Sequence, residues 1–158
     1  MESKDININT SPQVGGVKGI LLSRHKLLPA QERAIEKAGI SVVKTIGTVP
    51  NPGTPEFREF ITILQKEGIK VIVTTGIPPH ILASLNKFFD VYFLKMETID
   101  MVSNRGEAEQ WVAKSPEFRT YVPSREGTYR LVEFIALVKV KITIEETVVV
   151  SSEELRGE

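Results

Sequence analysis

Between residues 18 and 97 the chain alternates short β-branched and aliphatic runs with longer stretches of helix-forming residues. Few folds accommodate that order. A strand, a helical crossover and a second strand of the same sheet pair parallel with a right-handed connection, so that helices cover the faces. Lys18 to Ser23 is a short apolar run suited to a strand buried on both faces. Pro29 opens a helix that runs to Ala38, and Gly39 can take the left-handed conformation that ends it. Ile40 to Val49 is expected to form the second strand. Thr54 then caps, and Pro55 opens, a helix whose stripe is Phe57, Phe60, Ile61 and Leu64. Lys70 to Thr75 supplies the third strand. Pro78 and Pro79 introduce a helix carrying Ile81, Leu82, Leu85 and Phe88, and Asp90 to Leu94 forms the fourth strand.

After Glu97 the rhythm changes. Residues 98 to 117 read as irregular, with a short helical segment at Glu107 to Lys114 around Trp111. Phe118 to Val122 and Thr128 to Phe134 flank a turn-rich segment at Pro123 to Gly127 and read as a hairpin. Val138, Val140, Ile142 and Ile144 alternate with polar residues, as in a half-exposed antiparallel strand able to pair with the edge of another copy. The expected fold is α/β: a Rossmann-like, mostly parallel sheet with alternating helices, extended by a C-terminal antiparallel β-hairpin. Residues 1–17 are expected to be a flexible leader and 18–150 a single domain. Within it, 18–97 form the parallel core and 98–150 the hairpin extension, and 151–158 are a tail.

Composition narrows the chemistry. The 158 residues contain no cysteine, which removes disulfides, zinc knuckles and thiol nucleophiles and suits a reducing, cytoplasmic setting. Twenty basic residues balance twenty acidic ones, so anion binding has to be local. No apolar run is long enough to span a bilayer, and no membrane partner is expected. The two histidines and the acidic residues, among them Glu97 and Asp100, form no metal-ligand motif; neither a metal nor a cofactor is expected.

In open α/β sheets ligands bind beyond the carboxyl ends of the strands. The residues there are Ser23, Arg24, His25 and Lys26 after the first strand, Gly47 and Thr48 near the end of the second, Thr74, Thr75 and Gly76 with the nearby His80 after the third, and Lys95 after the fourth. Arg24 suits a phosphate through its planar fork, Lys26 and Lys95 add point charges, and amides after Thr75 at a helix start favour an anion. Neither the dinucleotide fingerprint nor the phosphate-binding loop of NTPases is present. A phosphate-containing nucleotide is the expected ligand, with His25 and Arg24 as the catalytic candidates. The alternative is a non-enzymatic interaction or nucleic-acid-binding module. Its hairpin interleaves Arg119, Tyr121, Arg125, Tyr129 and Arg130, though neutral overall charge does not favour nucleic acid.

Two resemblances bear on these residues. Ile20 to His25 resembles the strand-end Arg-His of the histidine phosphatases, which would make His25 a nucleophile and Arg24 a phosphate ligand. The chain departs from that family where Lys26 replaces glycine and Thr75 stands where a second histidine is required. Over residues 19–97, Ser23, Arg24, His25, Thr74, Thr75, Pro79 and His80 are similar in order to small Rossmann-like CRISPR-associated proteins that sense or degrade cyclic oligoadenylates. That resemblance implies a ring ligand rich in phosphate, a homodimer, and metal-independent cleavage in the manner of a ring nuclease.

Overall fold

A computed structural model describes residues 16–143 and 145–157. The expected leader lies almost wholly outside the described residues, although Val17 already belongs to the first strand. The strands are β1 (Val17–Leu22), β2 (Ile40–Ile46), β3 (Val71–Thr74), β4 (Asp90–Val102), β5 (Arg119–Pro123) and β6 (Tyr129–Val140). The helices are α1 (Pro29–Lys37), α2 (Pro55–Lys66), α3 (Pro79–Asn86), α4 (Arg105–Ala113) and α5 (Ser152–Arg156). The strands form one six-stranded mixed sheet in the order β2-β1-β3-β4-β6-β5. β2, β1, β3 and β4 run parallel, whereas β6 is antiparallel to both β4 and β5.

The local chemistry of the first hundred residues explains their elements. The Thr54 side chain accepts a hydrogen bond from Phe57 N–H at 3.2 Å, so that Pro55 begins α2 with one orphan donor already satisfied. α1 and α2 both end at a glycine of positive φ, Gly39 at 78° and Gly68 at 80°, where a side chain would be strained. The chain then re-enters the sheet without a long loop.

Two apolar layers enclose the parallel strands. Ile20, Leu22, Ile72 and Val91 meet Phe57, Ile61 and Leu64 of α2 and Leu85 of α3 on one face. Leu21, Val71, Val73 and Leu94 meet Ala30 and Ile35 of α1 on the other, with Phe134 of β6. The alternation along β1 thus buries every residue from Gly19 to Leu22, as an interior strand requires.

The second half departs from expectation in four places. β4 continues beyond Leu94 to Val102, so Lys95 and Glu97 lie within a strand, paired with Ala136 and Glu133 of β6. Of residues 98–117, expected to be irregular around a short helical segment at Glu107 to Lys114, 98–102 complete β4, and the expected helix forms as α4 but starts two residues earlier, where the Asn104 side chain accepts from Glu107 N–H at 3.1 Å. Of the alternating segment expected at 138–144, residues 138–140 are the end of β6, not a separate strand, and 141–143 lie beyond it in no strand. Its Val138 and Val140 pair with Phe93 and Val91, and Ile144 lies outside the described residues. In the α3 region Phe89, rather than the exposed Phe88, joins the core. Smaller shifts follow the same logic: β2 stops at Ile46, and residues 152–156 of the expected tail are helical.

Candidate functional site

The parallel unit leaves one crevice at its carboxyl edge. From β1 the chain crosses to β2 on one side, and from β2 it returns to β3 on the other. Loops leaving β1 and β3 therefore part in opposite directions, and the gap between them is the topological switch point at which open α/β sheets bind ligands. A cavity of about 460 Å³ opens there. Ser23, Arg24 and His25 line it from the end of β1, Gly47 to Val49 from the end of β2, and Thr75 to Pro78 with Ile81 from the end of β3 and the start of α3.

The loop after β1 is built by short-range hydrogen bonds. Ser23 N–H donates to Ile46 O at 3.0 Å, which continues the β1–β2 ladder by one bond. The Ser23 hydroxyl accepts from His25 N–H at 3.1 Å and donates to His25 O at 2.9 Å, closing a tight turn. That turn directs Arg24 toward β2, where its Nε donates to Gly47 O at 3.2 Å. Held through Nε, the guanidinium keeps both terminal amino groups without a protein partner among the described residues. The His25 ring likewise has no side-chain partner among the described residues. Across the crevice, Thr75 N–H donates to Leu22 O at 3.4 Å and ties the two strand ends together.

Of the residues expected at the site, Ser23, Arg24, His25, Thr75 and Gly76 converge on this cavity, and four do not line it. Thr74 is 1 % exposed, because it shares the face of Ile72 and points into the protein. Its hydroxyl accepts from Gly76 N–H at 3.1 Å, which removes that amide from any anion cradle. His80 is exposed in the first turn of α3 and lies off the lining. Lys26 is exposed in the same loop as His25, one residue past the crevice. Lys95 lies within β4, well short of its end. The sequence points to Thr48 but not to the apolar residues of the lining, Val49, Ile77, Pro78 and Ile81. Gly47, a residue type that interrupts strands, is the signal that places Val49 in a loop.

The hairpin presents a different picture. The Arg119 guanidinium stacks over Trp111 at 4.4 Å from the ring centroid, donates from Nε to Glu133 at 2.7 Å and donates from Nη1 to Trp111 O at 2.9 Å. Tyr121 and Tyr129 meet edge to face at 5.8 Å. Arg105 Nε donates to the Tyr121 hydroxyl at 3.2 Å; this bond, the Tyr121 oxygen's charge and the Glu109 carboxylate raise its pKa above the ordinary arginine value. The aromatics and Arg119 are thus engaged with one another, while Arg125 and Arg130 remain exposed.

Among the described residues no group of three or more histidine, aspartate or glutamate side chains is placed to hold a metal ion, and no helix is long and apolar enough to cross a membrane. Compared with protein-family models, curated proteins and solved structures, the chain matches none.

Proposed function

We propose that the chain uses its parallel unit in the Rossmann-like manner and binds a phosphate-containing nucleotide in the crevice between β1 and β3. The observation that carries this reading is the meeting of Ser23, Arg24, His25 and Thr75 on one cavity at the switch point. The cavity lining mixes polar groups, Arg24, His25, Thr48 and Thr75, with apolar ones, Val49, Ile77, Pro78 and Ile81. A phosphate would be held by the Arg24 guanidinium, which forms charge-assisted hydrogen bonds. The apolar residues would meet a base or sugar face, in the way that ligand pockets combine an apolar lining with a few placed polar groups.

Cyclic oligoadenylates are the ligand class that the CRISPR-associated resemblance implies. In such a ring, attack of a ribose 2′-hydroxyl on the adjacent phosphorus forms a 2′,3′-cyclic phosphate and breaks the bond to the 5′-oxygen. His25 would take the 2′-hydroxyl proton, Arg24 would stabilise the added charge, and water would protonate the departing 5′-oxygen. Binding is the part this geometry supports best, since a general base is ordinarily oriented by a third group and His25 has none among the described residues. The histidine-phosphatase route has less support, because His80, the only other histidine, lies outside the crevice.

Melting temperature measured with cyclic tetra-adenylate, AMP and inorganic phosphate tests the reading, because a ligand that binds only the folded state raises it. We expect a rise with at least one nucleotide, and its loss in Arg24→Ala. No shift with any of the three would remove the proposal. Product analysis then separates the two forms of it: turnover lost in His25→Ala marks an enzyme, and a shift without products marks a binding module.

A further inference from the structure

A second cavity, of about 530 Å³, runs along α1 on the opposite face of the sheet from α2 and α3. Ala30 and Ala34, one turn apart on α1, face Phe118 and Phe134 across it, and the small alanines leave an apolar groove. Beside this groove β6 loses a neighbour. β5 pairs with β6 from Tyr129 to Glu133, and the last hydrogen bond on that side is Phe134 N–H to Phe118 O at 2.8 Å. From Ile135 to Val140, β6 has no strand partner on that side among the described residues, and Ala136 to Val140 pair with β4 on the other. A half-open sheet edge flanked by a helix is the arrangement by which an extended peptide adds to a sheet, through main-chain hydrogen bonds and side-chain pockets.

The chain itself carries a segment of matching chemistry. Val148, Val149 and Val150 are 74, 86 and 56 % exposed and belong to no helix or strand. β-branched residues favour extended pairing, and so exposed an apolar run marks an interaction site. Glu145 and Glu146 precede the valines and Glu153 and Glu154 follow them, whereas Arg33 and Lys37 border the groove with a single acid, Glu36, and Lys139, which pairs with Asp90 at 3.6 Å, stands on the open stretch of β6. The segment's own groove is poorly placed for it. The Asn86 side chain accepts from Ile142 N–H at 2.9 Å and donates to Val140 O at 3.4 Å, which fastens the exit of β6 to the end of α3, on the face away from α1.

We propose that two copies of this chain associate by exchanging these segments, residues 145–151 of one adding as a strand to Ile135–Val140 of the other, with valine side chains in the α1 groove. Light scattering on the full chain across a wide concentration range tests this, with circular dichroism confirming that each variant is folded. The expected result is a dimer whose dissociation constant rises at least tenfold in Val149→Asp and rises also in Lys37→Glu. Val42→Asp, on the β2 edge, should leave it unchanged. A monomer at all concentrations overturns the proposal, as does a dimer indifferent to Val149→Asp or one abolished by Val42→Asp.

Discussion

The carboxyl edge of the parallel strands and the hairpin hold similar inventories of arginine, hydroxyl and ring, yet they use them in opposite ways. In the hairpin, Arg119 satisfies Glu133, the Trp111 carbonyl and the Trp111 ring, and the Ser124 and Thr128 hydroxyls meet at 2.6 Å. At the crevice, among the described residues, Arg24 makes one bond to a backbone carbonyl, and His25 is held through its main chain. Polar side chains that satisfy one another stabilise a fold, whereas groups left open at a topological switch point are available to a ligand. The contrast is the ground for placing the proposed site where side chains have no partner among the described residues.

Four substitutions test that contrast. The largest stability loss should come from the core beneath the crevice: Leu85→Ala, at a fully buried position, is expected to cost about 2–5 kcal/mol in denaturant unfolding. A loss well under that range would mean that α3 is loosely packed and the crevice wall movable. Arg24→Ala should do the reverse, weakening nucleotide binding by about 1.5–3 kcal/mol, the value of hydrogen bonds to a charged group, while unfolding stability stays within about 0.5 kcal/mol. Titration calorimetry with the ligand found by thermal shift, beside a urea melt, reads both quantities. If stability falls as far as affinity, the guanidinium is structural and the contrast fails. In Arg119→Ala the pattern should invert, with about 1–2 kcal/mol of stability lost and nucleotide affinity unchanged, because the part-buried Glu133 carboxylate is left without its partner. The smallest effect is expected from Lys44→Ala, which removes an exposed ion pair with Glu67 at 2.8 Å and should move stability by no more than about 0.5 kcal/mol in the same urea melts.

The parallel half was legible because its information is local. Thr54-Pro55, Gly39 and Gly68 punctuate helices by local chemistry, and the apolar runs around Ile20 and Ile72 are short and β-branched enough to favour interior strands. The remainder of β4 was illegible for the complementary reason. Lys95 to Val102 mixes charged and apolar residues without a clean period, and it is a strand because Tyr129 to Ala136 arrives to pair with it. The site inherits both cases. Arg24, His25 and Thr75 follow from knowing where strands end, whereas Lys95 was misplaced with the end of β4. Thr74 was misplaced by facing, since one step along a strand turns a side chain from the crevice into the core.

The position of β4 also has a consequence for the chain during its synthesis. Its first residues are sandwiched between β3 and the last residues of β6: Val91 lies opposite Ile72 on one side and Val140 on the other. The first neighbour precedes β4 on the nascent chain, but the second emerges long after it. At typical translation rates of about 5–20 residues per second, the flank of β4 waits a few seconds for its cover. During that interval the nascent protein exposes a ready-made sheet edge beside Val91 and Phe93, and that is where a ribosome-associated chaperone would have most to protect.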